Sequence, residues 1–286
     1  MIARLALIAA AVALSGGTAM AQTVPAAAPA APAADVELWR LDCGGVQVND
    51  LNAFSDTAAY TGQTKRLVAS CYLIRHGGEY MLWDTGLPEA VLGKAPNSTD
   101  AMSPVLTTTI VRQLAQIGVT PAEIGRIGIS HYHFDHIGQA AGFPAATLMI
   151  GKGDFDALKA GAPGVNAAPV AHWVSGGGTV DTVPGDKDVF GDGSVTMLTM
   201  PGHTPGHHAL LVRLKGKGPV LLSGDTAHFH ENYDSDGVPP FNVDRAQSLA
   251  SLDRFKRLAA NVKATVILQH DATDVAKLPA FPASAR

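Results

Sequence analysis

Short apolar runs alternate along the chain with breaks rich in Gly, Pro and Asp, and the period of each run indicates the element it forms. Residues 36–43, 67–75 and 80–84 are short apolar or alternating stretches and predict three early strands. His76-Gly77-Gly78 supplies a hairpin turn between the last two. In residues 103–118, Leu106, Ile110, Leu114 and Ile117 recur at helical spacing and predict a helix. Residues 127–129 are the core of a short strand, 146–150 predict another, and 154–160 a short helix. From 160 to 193 Gly and Pro dominate, which predicts loops with a strand or two. Further strands are expected at 195–200, 208–214 and 220–223. Asp244 opens a helix, with Gln247 three residues on as in a capping box. Leu249, Leu252, Phe255 and Leu258 or Ala259 give that helix its apolar face. The last strand is expected at 265–268.

The polar clusters follow directly on these strands. Residues 127–129 lead into His131, 195–200 into His203, 220–222 into Asp225, and 266–268 into His270. Strands buried in a sheet fix their end residues, so side chains on four strand ends can converge at one sheet edge with little entropy left to lose.

Composition adds a compartment and removes some partners. With 286 residues, 47% of them hydrophobic, the chain can bury a sizeable core. The net charge of -4 and the lack of a basic run argue against a nucleic-acid partner. Arg4, an apolar run at 5–14 and Ala19-Met20-Ala21 read as a secretory signal peptide cut after Ala21, too short to span a bilayer comfortably. Residues 22–34 are an Ala/Pro-rich linker, and the folded domain is expected at 35–286. Export without a second apolar span places the product in the periplasm or outside the cell, with no stable membrane insertion. Export also permits a disulfide between Cys43 and Cys71, but two small buried thiols fit the sequence as well.

The chemistry is concentrated in His131-Tyr132-His133-Phe134-Asp135-His136, where four potential ligands fall within six residues. Imidazole nitrogen and carboxylate oxygen suit zinc, and iron, manganese or cobalt accept the same donors. In an extended segment His131 and His133 point the same way, while Asp135 and His136 can turn toward a second metal. His203 lies in Pro-Gly-His-Thr-Pro-Gly-His, Asp225 in Ser-Gly-Asp-Thr and His270 in Gln-His-Asp. Neither Gly-x-Ser-x-Gly nor a dinucleotide Gly fingerprint is present.

H-x-H-x-D-H, then G-H-T-P-G-H, then G-D, then a late His resembles the metallo-β-lactamase superfamily over essentially the whole mature domain. The resemblance implies an α/β fold, an αββα sandwich of two mixed sheets flanked by helices, with a two-metal site at one edge. It implies that His131, His133 and His203 hold one divalent ion, that Asp135, His136 and His270 hold the other, and that Asp225 bridges them. His207 would orient ligands, and Asp84 would support the histidines of the first metal. Residues 68–86 (VASCYLIRHGGEYMLWDTG), the motif HYHFDHIGQ and the run GDTAHFHENYDSDGVPPFNVDRAQSL look more narrowly like N-acyl homoserine lactonases, with Phe134 and Glu231-Asn232-Tyr233 part of that look. One departure stands out: where those lactonases carry a tyrosine against the lactone carbonyl, this chain has His228.

The expected reaction is lactone or ester hydrolysis of a small-molecule acyl substrate. Two metals would acidify a shared water to a hydroxide that attacks the carbonyl, and Asp135 would pass a proton to the leaving alkoxide. The bridging Asp225 separates the chain from β-lactam-cleaving members, which generally lack it. A β-lactamase, a glyoxalase II-like thioesterase or a phosphotriesterase is the alternative within the same fold, and a binding-only metal protein is the alternative outside enzymes. Pocket walls are expected from the loops at 89–104 and 161–178. His76, His172 and His230 match no motif and are expected to be surface or core residues. Oligomeric state is left open, with a homodimer allowed.

Overall fold

A computed structural model describes residues 35–286. The expected signal peptide and linker at 1–34 lie outside the described residues. The apolar runs pair into two mixed sheets. The first comprises β1 (Val36–Val48), β2 (Lys65–His76), β3 (Glu79–Trp83), β4 (Met102–Val105), β5 (Ile124–Ile129), β6 (Thr147–Gly151) and β7 (Val180–Val183), in the order β4-β1-β2-β3-β5-β6-β7. Its β4-β1-β2-β3 part is antiparallel, and from β3 through β7 the pairing is parallel. The second comprises β8 (Lys187–Asp188), β9 (Val195–Thr199), β10 (His208–Leu214), β11 (Gly218–Leu222) and β12 (Thr265–Ile267), in the order β12-β11-β10-β9-β8, with only β11 and β12 parallel.

The helices are α1 (Ile110–Gln116), α2 (Phe134–Ile137), α3 (Lys152–Ala160), α4 (Ala171–Val174), α5 (His230–Ser235), α6 (Arg245–Val262) and α7 (Ala272–Val275). Alternation along the strands builds the layers. In β2, Tyr72 and Ile74 meet Leu210, Val212 and Leu222 of the opposite sheet, while Cys71 and Leu73 face α1 and α4. Leu198, Leu211 and Leu221 turn outward against Phe255 and Ala259 of α6. Helices thus cover both outer faces, which is the expected αββα sandwich. Among the described residues no helix is long and apolar enough to cross a membrane.

One local expectation changes, and one question left open by the sequence is answered. Residues 103–118 do not form one helix. Residues 45–48 of β1 pair with β4, and the helix begins only at Ile110, capped by Thr109 Oγ1 accepting the Arg112 N–H at 3.2 Å. Pro104 favours an extended neighbour before it, and three consecutive threonines resist a helical start, so the spacing of Leu106 with Ile110 is incidental although both are buried. The two cysteines are bonded, with Cα atoms 5.8 Å apart, linking β1 to β2. Closing a span of 28 residues contributes about 3–4 kcal/mol in the loop-entropy account.

Candidate metal centre

The strand ends deliver their ligand-type side chains to one edge of the sandwich, as the sequence pattern requires. His131, His133, His203 and Asp225 form one cluster, and Asp135, His136 and His270 form an adjoining one. In the first, His131 Nε2, His133 Nδ1 and His203 Nε2 make a triangle with edges of 2.9, 3.1 and 2.9 Å. Three ligands on a tetrahedral ion with bonds near 2.05 Å would stand about 3.3 Å apart, so the triangle fits a divalent metal with a slight outward adjustment. Asp225 Oδ2 lies 3.3 Å from His203 Nε2 and 3.6 Å from His131 Nε2, while Oδ1 lies 3.0 Å from His270 Nε2 and 3.4 Å from His136 Nε2. One carboxylate therefore faces both clusters. His136 Nε2 and Asp225 Oδ1 are buried without a hydrogen-bond partner, which is costly unless a cation completes them.

The outward nitrogens are tied down, which fixes the tautomers. His270 Nδ1–H donates to Val68 O at 2.7 Å, and His136 Nδ1–H to Asp84 Oδ2 at 2.9 Å. Each leaves its Nε2 lone pair facing the cluster. His207 accepts the Asp225 N–H on Nε2 at 2.8 Å and donates from Nδ1 to Met200 O at 3.1 Å. It orients Asp225 through the backbone, in line with its expected supporting role.

The Asp84 expectation needs correction. Its direct imidazole contact is His136, on the second cluster, and it reaches His131 only through Ser130, whose Oγ lies 2.9 Å from Asp84 Oδ2 and 3.0 Å from His131 Nδ1. Asp84 Oδ1 also accepts the Ser130 N–H at 2.7 Å. The next two residues brace the same place. Thr85 N–H donates to His136 O at 2.6 Å, and a Cβ on Gly86 would stand 2.4 Å from Cys43 Cβ, so the turn seats directly on the disulfide.

Electrostatics divides the histidines. Burial, reinforced by neighbouring imidazoles, holds His131 and His133 well below the usual imidazole range. Burial acts the same way on His136 and His270, but there the carboxylates, Asp225 foremost, outweigh it and both are raised. Asp225 is held well below the usual carboxylate range because His228, His270, His136 and His131 outweigh its burial.

Above the clusters lies a cavity of about 240 Å³, lined by Val46, Phe54, Leu67, Met102, His133, Phe134, Asp135, Asp225, His228, Phe241 and His270. Met102, Phe134 and Phe241 are large apolar side chains left exposed. Of the two loops expected to wall the pocket, 89–104 contributes Met102 and 161–178 contributes nothing. The latter packs on the helical side of the first sheet through Val165, Val170 and Trp173, whose indole N–H donates to Ala146 O at 3.0 Å. Its place is taken by Phe54 and Phe241. His228 does line the cavity, but its Nε2 lies 3.1 Å from Asp225 Oδ2, so its hydrogen bond goes to the Asp225 carboxylate.

Ser130, Phe54, Phe241 and Asn242 were not singled out in the sequence. Ser130 carries a signal of place, directly before the first ligand; Phe241 and Asn242 lie within the lactonase-like run after Asp225, and Phe54 lies in no motif. A further group, His230, Asp271 and Asp274, brings ligand-type atoms together, but Asp274 is already engaged by His230 Nε2 at 2.8 Å, by Lys277 and by the Leu268 N–H. His76 pairs with Asp192 and stacks on Phe190, a structural role.

Residues 64–270 match the model of the metallo-beta-lactamase superfamily. An N-acyl homoserine lactonase, AttM, from Rhizobium radiobacter is 28% identical over 258 residues, covering 83% of this chain and 94% of the relative. An N-acyl homoserine lactonase from a Bacillus species is 29% identical over 230 residues, covering 77% and 88%. Among solved structures, an N-acyl homoserine lactone hydrolase with N-hexanoyl-L-homoserine at its catalytic metal center superposes with a TM-score of 0.76 at 24% identity, over 88% of this chain and 100% of that one.

Proposed function

The chain belongs to the metallo-beta-lactamase superfamily, and from this we propose that it hydrolyses N-acyl homoserine lactones at a site holding two divalent metal ions. The observation that carries the reading is the bridging Asp225, facing both ligand clusters at the floor of an apolar cavity. The lactonase activity of the relatives and the acyl-homoserine product bound in the structural neighbour support it.

His131, His133 and His203 would hold one ion, Asp135, His136 and His270 the other, with Asp225 shared. The nitrogen and oxygen donors suit zinc. When bound, the ions supply Lewis acidity, which makes water nucleophilic near neutral pH and polarises a carbonyl. The remaining work falls to the chain itself. Val46, Phe54, Leu67, Met102, Phe134 and Phe241 offer an apolar surface to an acyl chain and exclude water from the reacting ring. Asp135 turns Oδ2 toward His136 and His270, at 3.8 and 3.7 Å, and borders the cavity, so its other oxygen is placed to carry a proton to the leaving ring oxygen. Export to the periplasm or medium belongs to the same reading, supported by the buried Cys43–Cys71 bond, of a kind that persists in oxidising compartments.

The test is a panel of acyl homoserine lactones, β-lactams and thioesters given to the metal-loaded protein. Lactones are expected to lead in kcat/KM by about a hundredfold. A β-lactam or thioester ahead of every lactone overturns the proposal.

The protonation pattern gives a second expected result. The carboxylates around them raise His136 and His270, so in the metal-free site protons compete with an ion for these two rings more than for the others as pH falls. His131 and His133 are already neutral there. As pH falls from about 8 to about 6, bracketing the ordinary imidazole value, the ion on the Asp135 side should therefore leave first. Elemental analysis after dialysis across that range should pass through a plateau of one metal per chain. Loss of both ions in a single step counts against this assignment.

A further inference from the structure

We propose that Asn242 is the positioning residue for His203, fixing its tautomer and ring orientation so that Nε2 is free to bind metal; this rests on the reading above that His203 is a metal ligand. The direction of every hydrogen bond behind the ring can be deduced. The carbonyl of Asp244, the N-cap of α6, can only accept, and Ser248 Oγ lies 2.7 Å from it, so the Ser248 hydroxyl donates there. Its lone pairs are left to accept, and Asn242 Nδ2 lies 2.9 Å away. The amide nitrogen therefore faces Ser248, and the amide oxygen faces His203 Nδ1 at 2.8 Å. An oxygen acceptor there requires the His203 proton on Nδ1. Nε2 is then a bare lone pair, aimed at the point shared with His131 Nε2, His133 Nδ1 and Asp225 Oδ2.

The backbone holds the same geometry. Val243 N–H donates to His203 O at 3.2 Å, and Asp244 N–H donates to Gly202 O at 2.9 Å. Gly202 has φ +131°, and a Cβ on it would stand 2.2 Å from the Ser248 nitrogen, so the ligand loop lies directly on the first turn of α6. In the tripeptide Phe241-Asn242-Val243 the two apolar side chains are exposed, Phe241 lining the cavity, and Asn242 turns inward to His203. The ligand is thus anchored on α6, the longest helix among the described residues, through an amide that no metal motif contains.

Three variants of the full chain test the assignment: Asn242→Leu, which removes the acceptor at similar volume, Asn242→Asp, which keeps it, and Ser248→Ala, which frees the amide to flip. Cobalt(II) is the probe, with affinity read by chelator competition, coordination by the visible spectrum, and folding by melting of the metal-free protein. Asn242→Leu is expected to weaken one of two cobalt ions by about tenfold and to alter the spectrum. Asn242→Asp should restore most of the affinity, and Ser248→Ala should fall between. A merely structural role would lower the melting point of all variants without the rescue by Asp. If the Leu variant does not fold, the Ser248→Ala and Asn242→Asp pair decides. Wild-type affinity and spectrum in Asn242→Leu, or an Asp variant as weak as the Leu one, overturns the proposal. A wild-type protein that takes up at most one cobalt ion overturns the two-metal reading instead, and is recognised before any variant is compared.

Discussion

Asp225→Asn is expected to lower lactone turnover by about a thousandfold and to leave at most one tightly held metal per chain. The side chain is buried, and five imidazole nitrogens surround its two oxygens at 3.0–3.6 Å. Asparagine keeps the volume and the backbone N–H bond to His207, so the fold should survive. What is lost is the only negative charge shared by the two clusters. A bridging carboxylate lets two cations lie close together, and Lewis-acid stabilisation at such sites is worth several kcal/mol. A loss of about 4 kcal/mol corresponds to the thousandfold figure. The measurement is kcat together with metal content after gel filtration. An Asn variant that keeps two metals and turns over within tenfold of wild type would show that Asp225 is not the bridge.

The pattern that made Asp225 legible is its position at the end of β11, a buried apolar strand. The same logic revealed His131, His203 and His270, because a strand end is a place that both sequence and fold define. Individual strands and the long helix after Asp244 were legible in the apolar pattern, whereas their assembly into two sheets flanked by helices was implied by the family resemblance. The helix expected over 103–118 failed because periodicity reports apolar spacing and is blind to a proline and a threonine run that favour extended backbone. The pocket walls failed for a different reason. Phe54 and Phe241 are 187 residues apart and meet ring to ring at 5.3 Å only because the two sheets stack. Asn242 and His203 also meet across a gap in sequence, of 39 positions. Contacts of this kind depend on loop paths, which local sequence does not specify.

His228→Ala is expected to lower kcat on lactones by about thirtyfold, close to 2 kcal/mol, with KM changed much less. The residue is buried at the cavity floor, edge-on to Phe54 at 5.0 Å and to Phe241 at 5.7 Å. Burial pushes its pKa down to about 4 against the opposing pull of Asp225, so it is neutral throughout the working range. A neutral ring has one N–H. Nδ1 is buried without a partner, so the proton belongs on Nε2, facing Asp225 Oδ2 at 3.1 Å. That N–H is the group available to a substrate oxyanion once the carboxylate is engaged elsewhere. The sign on stability follows from the lowered pKa. The unfolded chain takes up this proton below about 6.5 while the folded one resists it, so the neutral ring's contribution is intact above that value and is lost as pH falls toward 4. His228→Ala should therefore flatten the acid limb of the metal-free protein's stability profile between those two values. His228→Tyr tests the catalytic half, since a phenol also donates, and it should retain most of the turnover. Metal content separates two origins for a loss in the Ala variant. Two metals retained with a slower kcat assigns the N–H to the substrate, whereas loss of metal assigns it to holding Asp225. Wild-type turnover in His228→Ala would remove the residue from the reaction altogether.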